Sequence, residues 1–319
     1  MNKKQQELHQ KLYEAERKFQ SDVMKRDLSR EQLLTELYTE SYNRIQKKID
    51  DNYIRYATKE GLTRAEVRKI ADAMDVKKFN DRAAKAVRER DFGQETNRFL
   101  KLYNLKERVS KLELLKAELS LEIQDLHANA FDLMDKERRD EQEKLIEHLK
   151  EQSGVLRISG SNIAMQMEKI LKADFYGQSF GKSVWGQNGL HDQMQKDVFA
   201  SLNRIYTDMD GYKKERTYLS KKYDTSLSNA DRLLKTEISR IQAQSAERVA
   251  RDNGFTHYIY VAEPGACERC KPKDSMAIPI DELKQGINLA PLHPRCRCSG
   301  YYQIKTKLND LSEFQEWSD

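Results

Sequence analysis

Two short motifs near the C-terminal end of the sequence hold every cysteine of the chain and one histidine. The first is Cys267-x-x-Cys270, and the second is His293-Pro-x-Cys296-x-Cys298. Thiolate and imidazole groups bind zinc, and a structural zinc site uses four such ligands in a tetrahedron. The five residues therefore predict a zinc site. They leave open which four bind the metal, and in particular whether Cys296 or Cys298 completes the set.

Disulfide bonds, redox chemistry and catalytic zinc are the alternative explanations of these motifs. The Lys- and Glu-rich composition and the lack of a secretion signal favour a reducing compartment, where disulfides are rare. A thioredoxin-like redox site is disfavoured because Lys271-Pro272, after the first motif, does not continue a helix. A catalytic zinc is disfavoured because five donors imply no open coordination position.

The composition indicates an elongated helical protein. Charged residues make up 34% of the chain and the hydrophobic set only 38%, with five prolines and thirteen glycines in 319 residues, which is unlike a compact β-sandwich or barrel. The net charge of +5 is nearly balanced for this length, so it permits contact with nucleic acid without indicating it. No apolar run approaches the roughly 18–20 residues that span a bilayer, so we expect no membrane segment.

Apolar residues recur every three or four positions through the first half of the chain, which predicts amphipathic helices. One narrow stripe covers residues 8–23, and a second helix, capped by Ser29 and Gln32, carries a stripe over residues 34–56. Stripes this narrow bury little area. We therefore expect each helix to pack against a partner helix, in the same chain or in another.

Further helices are predicted near Thr63, over residues 79–90 and from about residue 105 to 150. The last part of the long helix, residues 135–150, is nearly all charged and is predicted to remain helical. Four histidines lie on predicted helices and are expected to be exposed: His9, His127, His148 and His191.

The composition changes at residues 153–161. Beyond this break, two helices are predicted over about residues 190–209 and 226–253, with residues 220–224 between them. Gly254 is well suited to end the second helix, because glycine readily adopts the left-handed conformation found after helix C-termini.

Three segments near the cysteine motifs have the composition of β-strands, namely residues 257–262, 277–280 and 300–305. Pro279 marks the second as an edge strand. Residues 255–305 contain about a dozen apolar side chains, too few for an independent core. Zinc binding contributes on the order of 10 kcal/mol to the folding of such a module. We therefore infer a small antiparallel sheet closed by the metal.

The predicted fold class is mainly α, with long extended helices and a small C-terminal α+β module stapled by zinc. We divide the chain into four regions: an elongated, charged, coiled-coil-like region over residues 1–153, a helical region over 154–254, a zinc-binding β module over 255–308, and a C-terminal helix or tail over 309–319 that carries Leu311, Phe314 and Trp317.

Several residues outside the cysteine motifs stand in an order typical of one protein family. They are Tyr176, Phe180 and Trp185, then Thr236-Glu237 and Arg240, then Asn253-Gly254, and Asp274 between the two motifs. Over about residues 155–305 this order resembles the phage Mu F-like head morphogenesis family, the minor head or minor capsid proteins of tailed bacteriophages. Residues 154–254 would then be the helical part of a Mu F-like domain. Glu263-Pro-Gly-Ala stands where the family has an Asp-x-Arg-Thr-like sequence.

The resemblance implies a structural protein of the virion without enzymatic activity. Proteins of this family lie inside the capsid near the portal vertex and bind the portal protein. They act in procapsid assembly and in DNA packaging or delivery. For this chain the resemblance implies a location in the virion, and in the host cytoplasm during assembly. Capsid or scaffolding protein would be a further partner.

Four charged residues near the motifs are candidates for supporting the metal ligands or contacting DNA. Arg295 and Arg297 flank the ligands, so they could screen thiolate charge or touch phosphate. Glu237 and Arg240 are spaced to pair on one helix, and Glu237 could also support the zinc module or pair with Arg295 or Arg297.

Two other functions compete with the structural one. A zinc-dependent nuclease or other hydrolase is disfavoured because the sequence has no HExxH motif and no Ser/His/Asp arrangement. A DNA-binding zinc-module protein is disfavoured because no basic helix stands near the motifs. The structural reading predicts at most weak, non-specific DNA contact, together with self-association through the helices.

Overall fold

A computed structural model of the chain describes residues 3–57, 94–153, 161–175, 177–207 and 212–304. These residues are mainly helical, with a small C-terminal sheet of three strands, as the sequence predicts. The predicted helices near Thr63, over residues 79–90 and over 309–319 lie outside the described residues.

Six α-helices and three strands form the described structure. The helices are α1 (Lys3–Ala57), α2 (Gln94–Ser153), α3 (Ser161–Lys172), α4 (Phe180–Trp185), α5 (Leu190–Thr207) and α6 (Tyr212–Asp252), and the strands are β1 (His257–Val261), β2 (Ala277–Pro279) and β3 (Ser299–Gln303). No helix within these ranges combines the length and apolarity that crossing a membrane requires.

Two predicted helix breaks are wrong. Helix α1 runs through Ser29, where a second helix was expected to start, and α6 runs through residues 220–224, which were expected to separate two helices. Neither place contains glycine or proline. In α6 the buried side chains of Leu219 and Tyr223 keep the four-residue helical spacing across the expected break. The charged stretch 135–150 is helical, as predicted.

The three strands form an antiparallel sheet in the order β2-β1-β3, with β1 in the centre. Tyr258 in β1 lies opposite Ile278 in β2 and Tyr302 in β3. The strand β2 lies at the edge of the sheet, as Pro279 predicts. The sheet is therefore short in every direction and must bury its faces against other elements.

The chain divides into two compact units. Unit 1 comprises Met1–Glu36, Asn129–Gly186 and Leu227–Asp319, and unit 2 comprises Leu37–Ala128 and Gln187–Ser226. The three long helices contribute residues to both units. All five candidate metal ligands belong to unit 1.

In unit 1, one face of the sheet packs against helices that are far away in the sequence. Tyr260 and Tyr302 join a buried cluster with Leu145 of α2 and Val249 of α6. The buried cysteines belong to the same cluster. The sheet therefore shares its core with the helices and has no separate one on this side.

Helix α1 covers the opposite face of the sheet. Ile259, Val261 and Tyr301 point to this side, and Leu12 and Tyr13 of α1 pack on them. Successive side chains of a strand point to opposite faces, so β1 contributes Ile259 and Val261 to one cluster and Tyr260 to the other.

Polar side chains also join α1 to the sheet. Gln20 Nε2 donates to the carbonyl oxygen of Val261 at 3.1 Å and to Ser299 Oγ at 2.8 Å. Glu16 accepts a hydrogen bond from Ser299 and lies 3.0 Å from His148 Nε2 of α2. His148 of α2 was expected to be exposed, but it is partly buried against α1.

Two glycines shape the path of the chain around the sheet. Gly254 has a φ of 72° and ends α6, as predicted, with the Phe255 amide donating to the Ala250 carbonyl oxygen at 3.0 Å. In β3, a Cβ atom on Gly300 would collide with the Ile259 carbonyl oxygen. Glycine at position 300 thus allows β3 to approach β1 closely.

Unit 2 has its own core, built from α1, α2, α5 and α6. Its fully buried members include Tyr38, Ile45, Ile49, Leu119, Ile123, Leu126, Val198, Leu202 and Leu219. The stripe of α1 over residues 38–49 is therefore covered within the same chain. The expectation that this narrow stripe requires a partner helix is met by three helices of unit 2.

His127, which was expected to be exposed, lies fully buried in unit 2. Its Nδ1 is 2.8 Å from the carbonyl oxygen of Ile123, so Nδ1 carries the hydrogen and Nε2 is an acceptor. The rings of Tyr38 and His191 meet the imidazole edge-on. Burial lowers the pKa of His127 to about 4. The imidazole is therefore neutral in the folded protein near neutral pH.

We expect the burial of His127 to make unit 2 sensitive to acid. The folded pKa is about 4 and the unfolded pKa about 6.5, so the stabilisation is complete above pH 6.5 and is lost as the pH falls towards 4. The loss is about 3 kcal/mol in the free energy of unfolding. Urea denaturation at several pH values between 7 and 4 gives the slope of the unfolding free energy against pH. We expect a smaller slope for His127→Leu than for the wild type.

His191→Leu is the control, because His191 is only partly buried and should change the slope less. Groups elsewhere in the protein titrate equally in all three proteins and cancel in the comparison. A His127→Leu variant whose stability falls as steeply with pH as that of the wild type would contradict the prediction.

Candidate metal centre

The first cysteine motif is a tight turn that follows β1. The amides of Cys270 and Lys271 both donate to the Cys267 carbonyl oxygen at 2.9 Å, which turns the two cysteine side chains towards the same side. The chain then returns to the sheet, because the Ser275 amide donates to the Tyr260 carbonyl oxygen at 2.8 Å. Asp274 closes this loop by accepting a hydrogen bond from the Ala262 amide at 2.8 Å.

The second motif is held by α6. The amide of Arg295 donates to Thr236 Oγ1 at 3.1 Å, and Ser239 Oγ donates to the Cys296 carbonyl oxygen at 2.7 Å. Within the motif, the Cys296 amide donates to the His293 carbonyl oxygen at 3.1 Å. The chain then enters β3, so the sheet and α6 together fix the position of this motif.

The two motifs bring all five predicted ligands together. His293 Nε2 lies 3.3 Å from Cys267 Sγ and 3.4 Å from Cys270 Sγ, and the sulfurs of Cys270 and Cys296 are 3.9 Å apart. A tetrahedral zinc ion would place its ligand atoms about 3.6 Å apart for sulfur and nitrogen, and about 3.8 Å apart for two sulfurs. The observed separations fit such an ion.

Two overlapping groups of ligand atoms are each compact enough to hold a metal ion. Cys267, Cys270 and His293 form one, and Cys270, Cys296 and Cys298 form the other, with all atoms of a group within 4.8 Å of one another. Cys270 belongs to both groups. All four cysteines are free thiols, so the disulfide alternative is not what this structure shows.

A comparison with protein-family models matches residues 196–300 to the family described as Phage Mu protein F like protein. The match begins within α5, includes both cysteine motifs and ends in β3. We call residues 196–300 the Mu F-like segment, because they are similar to this family. The resemblance drawn from the sequence is thereby confirmed over these residues, and it supports a phage head morphogenesis protein. The part of the resemblance before residue 196 lies outside the match. Neither the curated proteins nor the solved structures gave a match.

The tautomer of His293 in the Mu F-like segment suits metal binding. Its Nδ1 lies 2.9 Å from the carbonyl oxygen of Pro294, which can only accept, so Nδ1 carries the hydrogen. The lone pair of Nε2 is therefore free to face the sulfurs of Cys267 and Cys270. A backbone oxygen that orients the imidazole in this way is a common support of metal-binding histidines.

The thiols of Cys296 and Cys298 in the Mu F-like segment differ in pKa. A hydrogen bond from the Cys298 thiol, which outweighs the effect of burial, lowers the pKa of Cys296 to about 5. The same bond and burial raise the pKa of Cys298. Cys296 is therefore a thiolate at neutral pH, so the site carries negative charge that attracts a cation.

In the first motif, the exposed and buried thiols also differ. A hydrogen bond from the backbone N–H of Cys270 lowers the pKa of the exposed Cys267, whereas burial raises the pKa of Cys270 to about 12. Metal ligands must be deprotonated, so a metal that binds here displaces protons from the buried thiols.

Tyr260 adds a buried hydroxyl next to the sulfurs. Its oxygen makes no hydrogen bond of normal geometry. Burial and the neighbouring Cys298 and Cys296 thiols raise its pKa. The sequence placed Tyr260 only on a strand, and the alternation of β1 is the signal that directs it to the same face as the cysteines.

Arg297, between Cys296 and Cys298, is buried. Its Nη1 donates to the Lys235 carbonyl oxygen and to Ser239 Oγ of α6, each at 2.8 Å, and its Nη2 pairs with Asp27 of α1. Ser239 in turn donates to the Cys296 backbone, as described above. The guanidinium of Arg297 therefore fixes the second motif to two helices.

The partner of Arg297 belongs to a larger buried network. Asp27 lies 3.0 Å from Arg30 of the same helix, and Arg30 pairs with Glu137 at 2.8 Å and with Glu141 of α2. Glu141 also pairs with Arg26. This network could not be predicted from the sequence, because Asp27 lies in a charged helix where nothing distinguishes it from solvated acidic residues.

The other three candidates lie in different surroundings. Arg295 is about half exposed, and its Nη2 contacts Ser228 at 3.0 Å and Asp231 at 3.2 Å. Glu237 pairs with Arg240 at 2.9 Å and with Arg138 of α2 at 3.1 Å, rather than with Arg295 or Arg297. Both residues are buried. Glu237 joins α6 to α2 through Arg138, and Arg240 joins α6 to α3 by donating to the Ile170 carbonyl oxygen at 2.9 Å.

We expect truncation of Arg297 to destabilise unit 1 strongly. Arg297→Ala leaves the buried Asp27 carboxylate without one of its two cations, and breaking a buried pair costs about 3–5 kcal/mol. Arg295→Ala is the matched control in the same motif, because a half-exposed pair contributes about 1 kcal/mol or less. Urea denaturation at a fixed metal concentration measures both losses. Equal small losses for the two variants would show that the buried pair has no special role.

Proposed function

We propose that this protein is a structural component of the head of a tailed phage, located inside the capsid near the portal vertex. The match of residues 196–300 to the Mu F-like family is the observation that carries the proposal. In this role the protein binds the portal protein and acts in procapsid assembly and in DNA packaging or delivery. It meets its partners in the host cytoplasm during assembly and remains in the virion. Capsid or scaffolding protein is a further partner.

The proposed role is structural rather than enzymatic. The metal-binding motifs are tied to the sheet and to α6 by backbone and buried side-chain bonds, which suits a site that holds a fold together. Five donors for four positions imply no place for a catalytic water. Contact with DNA is weak and non-specific in this proposal, and the helices outside the Mu F-like segment provide for self-association.

We propose zinc as the metal, because thiolates and imidazole together favour it over harder cations. Zinc would neutralise thiolate charge and hold the two motifs to one point. The proposed ligands are Cys267, Cys270, His293 and Cys296. The sulfur of Cys296 is 3.9 Å from that of Cys270, within the range that shared ligands of one ion require. Cys298 is then a buried thiol beside Cys296.

Metal analysis of a matched pair of variants tests the ligand set. Cys296 and Cys298 are both buried, so Cys296→Ser and Cys298→Ser make the same chemical change at neighbouring positions. We expect about one zinc ion per chain in the wild type and in Cys298→Ser, and a loss of metal in Cys296→Ser. Elemental analysis after gel filtration gives the stoichiometry. A metal-free wild type would refute the zinc proposal. Loss of metal in Cys298→Ser but not in Cys296→Ser would mean that Cys298, rather than Cys296, is the fourth ligand.

Binding to the portal protein tests the proposed role in the head. The full chain is needed, because α1 covers one face of the sheet and its deletion would expose the Mu F-like segment. We expect the chain to be retained on immobilised portal rings of the phage that encodes it, and to be washed off rings from an unrelated phage. The measurement is the amount retained over a series of salt concentrations. Failure to bind the matching rings, or equal binding to both, would contradict the proposal.

A further inference from the structure

A surface groove runs between α1 and the loop that leads into the first cysteine motif, within unit 1. It has a volume of about 690 Å³. One wall is formed by α1, with Tyr13, Arg17, Met24 and Leu28, and the other by the loop, with Glu263 and Pro264. The groove lies next to the metal centre without using any of its candidate ligands.

The α1 wall of the groove exposes apolar side chains. Leu28 is 70% exposed and Met24 is 39% exposed. With Arg17 and Ser21 they are spaced by four, three and four residues, so they occupy one face of the helix. Large apolar side chains that line a groove usually mark a binding surface, whereas single exposed leucines elsewhere do not.

Two cationic residues of α1, Arg17 and Lys25, lie at the α1 wall of the groove. Arg17 lies 3.9 Å from Asp274, and Lys25 lies 2.9 Å from Asp22. The Lys25–Asp22 pair is exposed and weak, so Lys25 remains available to a bound anion. Arg17 is partly buried and donates to the Tyr13 hydroxyl at 2.7 Å, and it adds positive charge to the same wall. An occupant that suits the groove therefore has an apolar face with acidic residues beside it.

The C-terminal segment, residues 305–319, lies outside the described residues and has this chemistry. Its apolar residues recur at every third position and its acidic residues lie between them. The apolar set is Leu308, Leu311, Phe314 and Trp317, and the acidic set is Asp310, Glu313, Glu316 and Asp319.

The segment starts close enough to reach the groove. It follows Ile304, which is 59% exposed and comes directly after β3. Gln303 pairs with His257, and Ser299 pairs with Val261, just before the loop wall. The length of β3 between these pairs is about 14 Å. Five extended residues span up to about 17 Å, so the helix predicted over residues 309–319 can lie along the groove.

We propose that residues 305–319 bind in this groove of the same chain, with Leu311, Phe314 and Trp317 against Met24 and Leu28 and the acidic residues beside Arg17 and Lys25. This segment then covers the outer side of α1 next to the metal centre. The proposal does not depend on the function proposed above.

Tryptophan fluorescence tests the proposal, because the chain has only two tryptophans, Trp185 and Trp317. The variant Trp185→Phe leaves Trp317 as the sole reporter. We expect its emission to be shifted to shorter wavelength and protected from acrylamide. Adding Leu28→Lys should expose it and raise the quenching constant at least about twofold, because the indole loses its apolar cover.

Leu33→Lys is the matched control, because Leu33 is 42% exposed on the same helix but does not line the groove. It should leave the quenching constant of Trp317 unchanged. Circular dichroism and metal content show that each variant is folded. If Trp185→Phe does not fold, the difference in emission between the wild type and Trp317→Phe gives the same information with Trp185 intact.

Three results would overturn the proposal. One is a Trp317 that is fully exposed in the folded protein before any change in the groove. Another is an equal effect of Leu28→Lys and Leu33→Lys. The third is protection of Trp317 that disappears on dilution, which would mean that the groove holds the segment of a second copy.

Discussion

A buried positive charge holds in place the end of this protein that carries the candidate metal ligands. Arg297 stands between two cysteines and pairs with Asp27 of α1 while it donates to the backbone and side chain of α6. A charge removed from water must be paired, because its desolvation costs several kcal/mol. The second cysteine motif therefore takes its position only when both helices are in place, and the network of Arg30, Glu137 and Glu141 extends this requirement to α2.

The same dependence appears in the apolar contacts of the sheet. Its three strands are too short to form a core, and each face is completed by helices from elsewhere in the chain. Tyr260 and Tyr302 pack with α2 and α6, whereas Ile259 and Val261 pack with α1. The candidate metal centre would thus be one of several constraints on this end of the protein. A bound ion would fix the ends of the loops, whereas the helices fix the strands.

What the sequence revealed was local. The strands, the edge position of Pro279 and the end of α6 at Gly254 follow from residue types within a few positions of one another. The convergence of the five metal-ligand candidates follows from two short motifs that share one ligand chemistry. The contacts between residues far apart in the sequence could not be predicted. Asp27, Glu141 and His127 stand in charged helices, where a buried residue and a solvated one have the same neighbours in sequence. The expected break at Ser29 relied on capping residues, and buried packing on both sides outweighed that weak signal.

The contact between α1 and the sheet also decides when this part of the protein can fold. Helix α1 leaves the ribosome long before residues 257–303, yet Leu12 and Tyr13 find their partners only on those strands. Until translation reaches β3, Leu12 and Tyr13 lack the strands that cover them in the folded protein. Unit 1 therefore cannot complete its folding before β3 has been synthesised, and the N-terminal part of α1 is exposed to aggregation until then.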